Sequence, residues 1–164
     1  MSMENQIKML RGEIKKNLEV LQRLENYLLN FEQNKLGQNP GIDEAMIFTQ
    51  ALTNYYTCLE TVFLRISKFF ENNLDNNQWH RSLLDKMILE IEDMRPKVIS
   101  ENVYRDLLEI LKFRHFSRYY FELNYDWDKL KFLLKKFENV RTQVKQEITD
   151  FDKFLSSLLM NYKK

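Results

Sequence analysis

The segment LKFRHFSRYYFEL, Leu111 to Leu123, sets Arg114, His115 and Arg118 among closely spaced aromatic residues. A guanidinium offers planar paired donors that suit a phosphate, and an imidazole exchanges protons near neutral pH. Tyr119, Tyr120 and Phe121 can stack on bases or fill a core. On an α-helix Arg114 and Arg118 lie about one turn apart on one face, with His115 over Tyr119 on a neighbouring face. Two guanidiniums so placed repel unless an anion or a carboxylate lies between them. Glu109 or Glu122 can pair with them, both can extend into solvent, or the two can clamp a phosphate. Composition leaves these readings open.

Other chemistry-bearing residues are few. His80, in NQWHR, is the only other histidine. It can line the same cleft, although the favoured reading is a helix-entry histidine that hydrogen-bonds the backbone beside Trp79. Two distant histidines with scattered carboxylates lack the close ligand spacing of a zinc site, and no glycine-rich phosphate loop is present, so no metal or cofactor is expected. Cys58 is the single cysteine, in the apolar run NYYTCLETVF, and reads as a buried bystander. Tyr55, Tyr56, Trp127 and the phenylalanines of the same region read as core rather than as a base-stacking platform.

The elements that must position these residues are helical. The 164-residue chain has three Gly and two Pro among long Leu-, Lys-, Glu- and Asn-rich runs, which points to one all-α domain over residues 1–164. A net charge of +1 leaves no global field toward nucleic acid or membrane, so any anion site is local. The start MSMENQIKML has no signal-peptide core and no window reaches the roughly eighteen apolar residues of a membrane span, which gives a cytoplasmic expectation.

Five helices are expected. Ile7, Leu10, Ile14, Leu18, Leu21, Leu24, Leu28 and Phe31 mark a long amphipathic helix over residues 3–36. KLGQNPGIDEA is a loop in which Asp43 is the candidate N-cap. The second helix runs to about Asn72, and its wide apolar surface, Phe48, Leu52, Leu59, Val62, Phe63 and Ile66 included, makes it central. ENNLDNNQ ends it. The third helix spans roughly Trp79 to Glu92 and must stop before Pro96. Ser100 caps the fourth, which runs into the Arg/His segment, and the fifth covers about Asp126 to Tyr162.

LKFRHFSRYYFEL resembles the signature region of the HepT-like ribonuclease toxins, a branch of the HEPN superfamily. LTNYYTCLETVFLRI is similar to that family's central helix, QWHRSLLDKMILEI to its Trp-His-Arg entry, and residues 94–127 to its Arg-Pro turn, signature helix and Asp-Trp turn. The likeness covers Ala51 to Phe137. It implies a HEPN-type bundle that forms a homodimer around the signature helices, with RNA as the ligand. It also implies metal-independent RNA cleavage and control by a partner minimal nucleotidyltransferase antitoxin.

The family's hallmark is an Arg, often followed by a polar residue, and then a His after four to six positions. Arg114 and His115 match its opening. In the HepT-like branch the pattern continues as Arg-His-x-Tyr, with a catalytic His and a Tyr open to adenylylation. Arg118 aligns with that Arg, Tyr119 stands in place of the His and Phe121 in place of the Tyr. Arg114, His115 and Tyr119 are thus the catalytic candidates of a degenerate motif, with Arg114, Arg118 and Tyr120 as RNA contacts. A tyrosine near its usual pKa of about 10 is a weak base at neutral pH. The alternatives are an inactive HEPN domain that binds RNA, nucleotide or a partner protein, and a purely structural helical bundle.

Overall fold

The computed structural model describes residues 1–72 and 78–162. Within them run five α-helices, α1 (Met3–Asn34), α2 (Ile42–Phe70), α3 (Trp79–Met87), α4 (Glu101–Phe116) and α5 (Trp127–Tyr162), with a 3₁₀ segment, Ser117–Glu122, after α4. The fold is an all-α bundle, as the periodicity predicts. The Asn-rich turn after α2 lies mostly outside the described residues.

The apolar stripes decide the packing. Helix α2 lies against α1, α3, α4 and α5, and Phe48, Leu52, Leu59, Val62, Phe63 and Ile66 are all buried. Tyr55 and Tyr56 are core residues too, Tyr55 edge-on to Phe137 of α5 with ring centroids 5.0 Å apart. Cys58 is half-buried and its Sγ donates to the Asn17 carbonyl at 3.4 Å. No helix among the described residues is long and apolar enough to cross a membrane.

Two helix ends differ from the sequence reading. Gly41, not Asp43, is the N-cap of α2, because the Glu44 carboxylate reaches back to accept from the Gly41 N–H at 3.0 Å. Helix α3 ends at Met87 rather than near Glu92. The carbonyls that a longer helix would use are taken by the returning chain: Met87 O accepts from Val98 N and Ile99 N, at 2.8 and 3.1 Å. The Lys86 and Leu89 carbonyls accept from the Arg95 guanidinium. Pro96 therefore ends a turn that Arg95 has already organised. Ser100 caps α4 as expected, its Oγ accepting from Val103 N.

The seam between α1 and α5 is polar as well as apolar. Buried Glu25 pairs with Arg141 and Lys145, and Arg11 holds Asp152 through two bonds of 2.8 and 2.9 Å. Nearby, burial and then the hydrogen bond and charge of Glu138 push the Glu32 carboxyl up to about 7, against the opposing charge of Arg141. A raised carboxyl favours the folded state in its protonated form. That contribution is complete below the ordinary 4.5 and is lost as pH rises through about 7. Glu32→Gln should therefore flatten the decline of thermal stability over this window, whereas parallel pH profiles for variant and parent would contradict the assignment.

Candidate active site

The site is built where the C-terminal end of α4 meets the middle of α2 and the first turn of α3. Arg114 turns inward. Its Nη1 donates to Glu60 Oε1 at 3.0 Å and its Nη2 to Glu60 Oε2 at 3.1 Å, a two-point pair with only 14% and 8% of the side chains exposed. Its guanidinium also lies 5.0 Å from the Tyr56 ring centroid, and Nη1 reaches Thr57 Oγ1 at 3.5 Å.

His80 completes the cluster. Its Nδ1 is 2.9 Å from Glu60 Oε2 and 2.8 Å from Arg114 Nη2. One ring nitrogen carries either a proton or a lone pair, so Nδ1 donates to Glu60 or accepts from Arg114, never both at once. Trp79 stacks on the imidazole, ring centroids 3.6 Å apart. The His115 ring meets His80 edge to face at 5.5 Å. Burial, followed by the charges of Arg114, His80 and Arg118, lowers the His115 pKa below its ordinary 6.5, with Glu60 opposing. The shift favours the neutral form of His115, whose free ring nitrogen can accept a proton.

The remaining candidates are spread over the 3₁₀ segment. A 3₁₀ helix has about three residues per turn, so the single-face relation drawn for a continuous α-helix does not hold beyond Phe116. Arg114 packs inward and Arg118 is exposed. Tyr119 is 70% exposed, its ring 6.2 Å from Phe116, and Phe121 is 77% exposed. Tyr120 is buried among Phe113, Phe116 and Tyr125. It helps floor a groove of about 550 Å³ edged by Lys112, Asn124 and Asp126. Leu123, in the left-handed region at φ 63°, closes the segment.

The carboxylate that holds Arg114 is neither Glu109 nor Glu122. Glu109 pairs with Lys112, and the partner comes instead from α2. The signal was a lone carboxylate inside the apolar run CLETVF of the most buried helix, which demands a cation from elsewhere in the fold. His80 hydrogen-bonds side chains of the cleft, contrary to the favoured backbone reading. Among the described residues no three His, Cys, Asp or Glu side chains gather as a metal site.

A protein-family model described as "HepT-like protein" matches residues 47–155, about two thirds of the chain. No curated protein and no solved structure gave a match.

Proposed function

Because the chain belongs to the HepT-like protein family, we propose that it is an RNA-directed HEPN module, the toxin component of a toxin–antitoxin pair, that cleaves RNA without a metal at the end of α4. The observation that carries this reading is the meeting of both histidines of the chain, His115 edge-on to a His80 that is itself 2.8 Å from Arg114. Metal-independent cleavage needs a base for the 2′-hydroxyl proton, an acid for the departing 5′-oxygen, and cations for the charge on phosphorus. All three residue types meet in this cleft.

Arg118 is the guanidinium open to an incoming phosphate, while Arg114 supplies positive charge from beneath and fixes the cleft wall. Tyr119 is exposed on the adjoining 3₁₀ segment, and in this reading its phenol serves the bound RNA as a hydrogen-bond donor. Phe116, Tyr119, Phe121 and Leu123 form an exposed apolar run, which is the surface that a second copy covers in the homodimer included in this reading. Phe121 has no hydroxyl for nucleotidyl transfer, so a nucleotidyltransferase antitoxin would act at this position by docking.

The test is incubation with single-stranded RNA in the presence of a chelator. Fragments with 2′,3′-cyclic phosphate and 5′-hydroxyl ends are expected, and cleavage only with added divalent ion would overturn the reading. Arg118→Gln should weaken RNA binding. It should also lower the slope of log K against log salt by about 0.7, the counterion release of one single-strand phosphate contact. An unchanged slope would remove Arg118 from the interface. The two-point neutralisation of Arg114 by Glu60 favours a second reading, a module that binds RNA without cutting it, which gives the same salt response and no fragments.

A further inference from the structure

We propose that His80, oriented by Glu60, is the general acid that works with His115 as general base, so that the pair replaces the histidine missing at position 119. This rests on the RNA-cleaving reading above and assigns within it a catalytic residue that lies outside the signature segment.

The geometry carries the assignment. An imidazole can deliver a proton in a defined direction only if its ring is fixed, and His80 is fixed on two sides. Trp79 covers its face at 3.6 Å and Glu60 Oε2 binds its Nδ1 at 2.9 Å. With Nδ1–H donated to Glu60, the nitrogen left for a substrate is Nε2, on the other side of the ring. The side chain remains 27% exposed, so a substrate can reach it. His115 stands 5.5 Å away and nearly perpendicular, a spacing at which two rings can address opposite sides of one phosphodiester. Its lowered pKa suits the base.

In the step this implies, neutral His115 takes the proton of the 2′-hydroxyl and the 2′-oxygen bonds to phosphorus. The phosphorus–5′-oxygen bond breaks, and the departing oxygen takes the Nε2 proton of His80. The products are a 2′,3′-cyclic phosphate and a 5′-hydroxyl, with His115 left protonated and His80 neutral. Exchange with water restores both rings. No redox change occurs and no co-reactant is required.

Glu60 is a positioning residue here, since it acts through His80 and Arg114. Its two oxygens hold both partners at once, which ties the ring to the cation that the reaction charges against. In the other arrangement of the cluster, Nδ1 accepts from Arg114 Nη2 at 2.8 Å. The proton on His80 then sits on Nε2, still on the substrate side. That ring is neutral, so the reactive form is the first one, in which a charged ring keeps Nδ1–H on Glu60 and returns to neutral by giving up its Nε2 proton.

The experiment uses the full chain and two substrates, an ordinary single-stranded RNA and the same RNA with sulfur in place of the bridging 5′-oxygen at one position. A thiolate leaves without a proton. His80→Asn keeps an amide donor near Glu60, and His80→Gln sets its amide nearer the Nε2 position. Both variants should lose about 10²-fold or more on ordinary RNA, lose the alkaline limb of the pH–rate profile, and recover on the sulfur substrate. His115→Asn should lose the acidic limb and not recover. Parental rates with both limbs intact in the His80 variants, or recovery in neither of them, would overturn the assignment while leaving the RNA-cleaving reading in place. Absence of cleavage by the parent chain on both substrates would overturn the two together.

Discussion

Replacing Arg95 with Met should lower the stability of this protein by about 4 kcal/mol, within the range of about 3–5 kcal/mol for breaking a buried ion pair. The side chain is fully buried, paired with a Glu71 that is itself only 12% exposed. Its nitrogens also donate to the carbonyls of Lys86, Leu89 and Pro96 at 3.0 to 3.1 Å. Removal strands the Glu71 carboxylate at the end of α2 and the carbonyls of Leu89 and Pro96 in the turn that joins α3 to α4, while Lys86 O keeps the Leu89 N–H. Because each unpaired buried group costs about 1–3 kcal/mol, relaxation and water entry must recover part of the sum. For a chain of this size about 4 kcal/mol corresponds to a melting-temperature drop of roughly 8–16 °C.

Arg95→Lys should restore little of this, because one ammonium cannot span acceptors that lie on several sides of a planar guanidinium. Arg105→Met is the matched control. Its ion pair with Glu101 lies on the surface, with both side chains about 70% exposed, and should be worth under about 1 kcal/mol. Urea unfolding midpoints measure all three variants. A loss below about 1 kcal/mol for Arg95→Met would show that the turn holds without its guanidinium. The consequence reaches the cleft, since α3 carries His80 and α4 carries Arg114, and this turn sets how the two helices meet.

The helix faces were legible because burial repeats with the helical period. Ile7, Leu10, Ile14, Leu21 and Leu28 of α1, and the six α2 residues from Phe48 to Ile66 named above, are buried where the pattern places them. The ends were less legible. Asp43 and Gly41 are both acceptable starts for a helix, and the choice fell to a side chain, that of Glu44. The end of α3 depends on carbonyls consumed by residues 95–99, which no local propensity records.

The site divides along the same line. Arg114, His115 and Arg118 stand out by type and spacing alone, but the relation between them assumed an α-helix that continues past residue 116. The chain tightens there into a 3₁₀ segment, which separates an inward Arg114 from an exposed Arg118. Glu60 lies 54 positions from Arg114, so its role comes from tertiary packing. The charge inside an apolar run was the visible hint. His80 was visible as a residue and as part of QWHR, while its meeting with His115 required the packing of α3 against α4.

Arg114→Ala should both destabilise the fold and abolish the proposed RNA cleavage, and the two effects can be separated. Truncation leaves the Glu60 carboxylate, 8% exposed, with His80 as its remaining hydrogen-bond partner in the cluster. A loss of about 3 kcal/mol follows from stranding a buried charge, to which the contact with Tyr56 adds about 1 kcal/mol. Replacing both partners by groups of similar shape, Glu60→Gln with Arg114→Met, removes the stranded charge and should recover most of that stability. A coupling energy of about 2 kcal/mol or more between the two sites is therefore expected from unfolding midpoints. Cleavage should not recover. In the proposed reaction the double variant lacks the cation beneath the phosphate and the carboxylate that orients His80, and loss of one preorganised electrostatic contact costs about 10²–10³-fold. A double variant that is as stable as the parent and inactive would assign Arg114 and Glu60 to the chemistry. One that is equally stable and fully active would assign the pair to the core alone, and would leave Arg118 and the two histidines to carry the reaction.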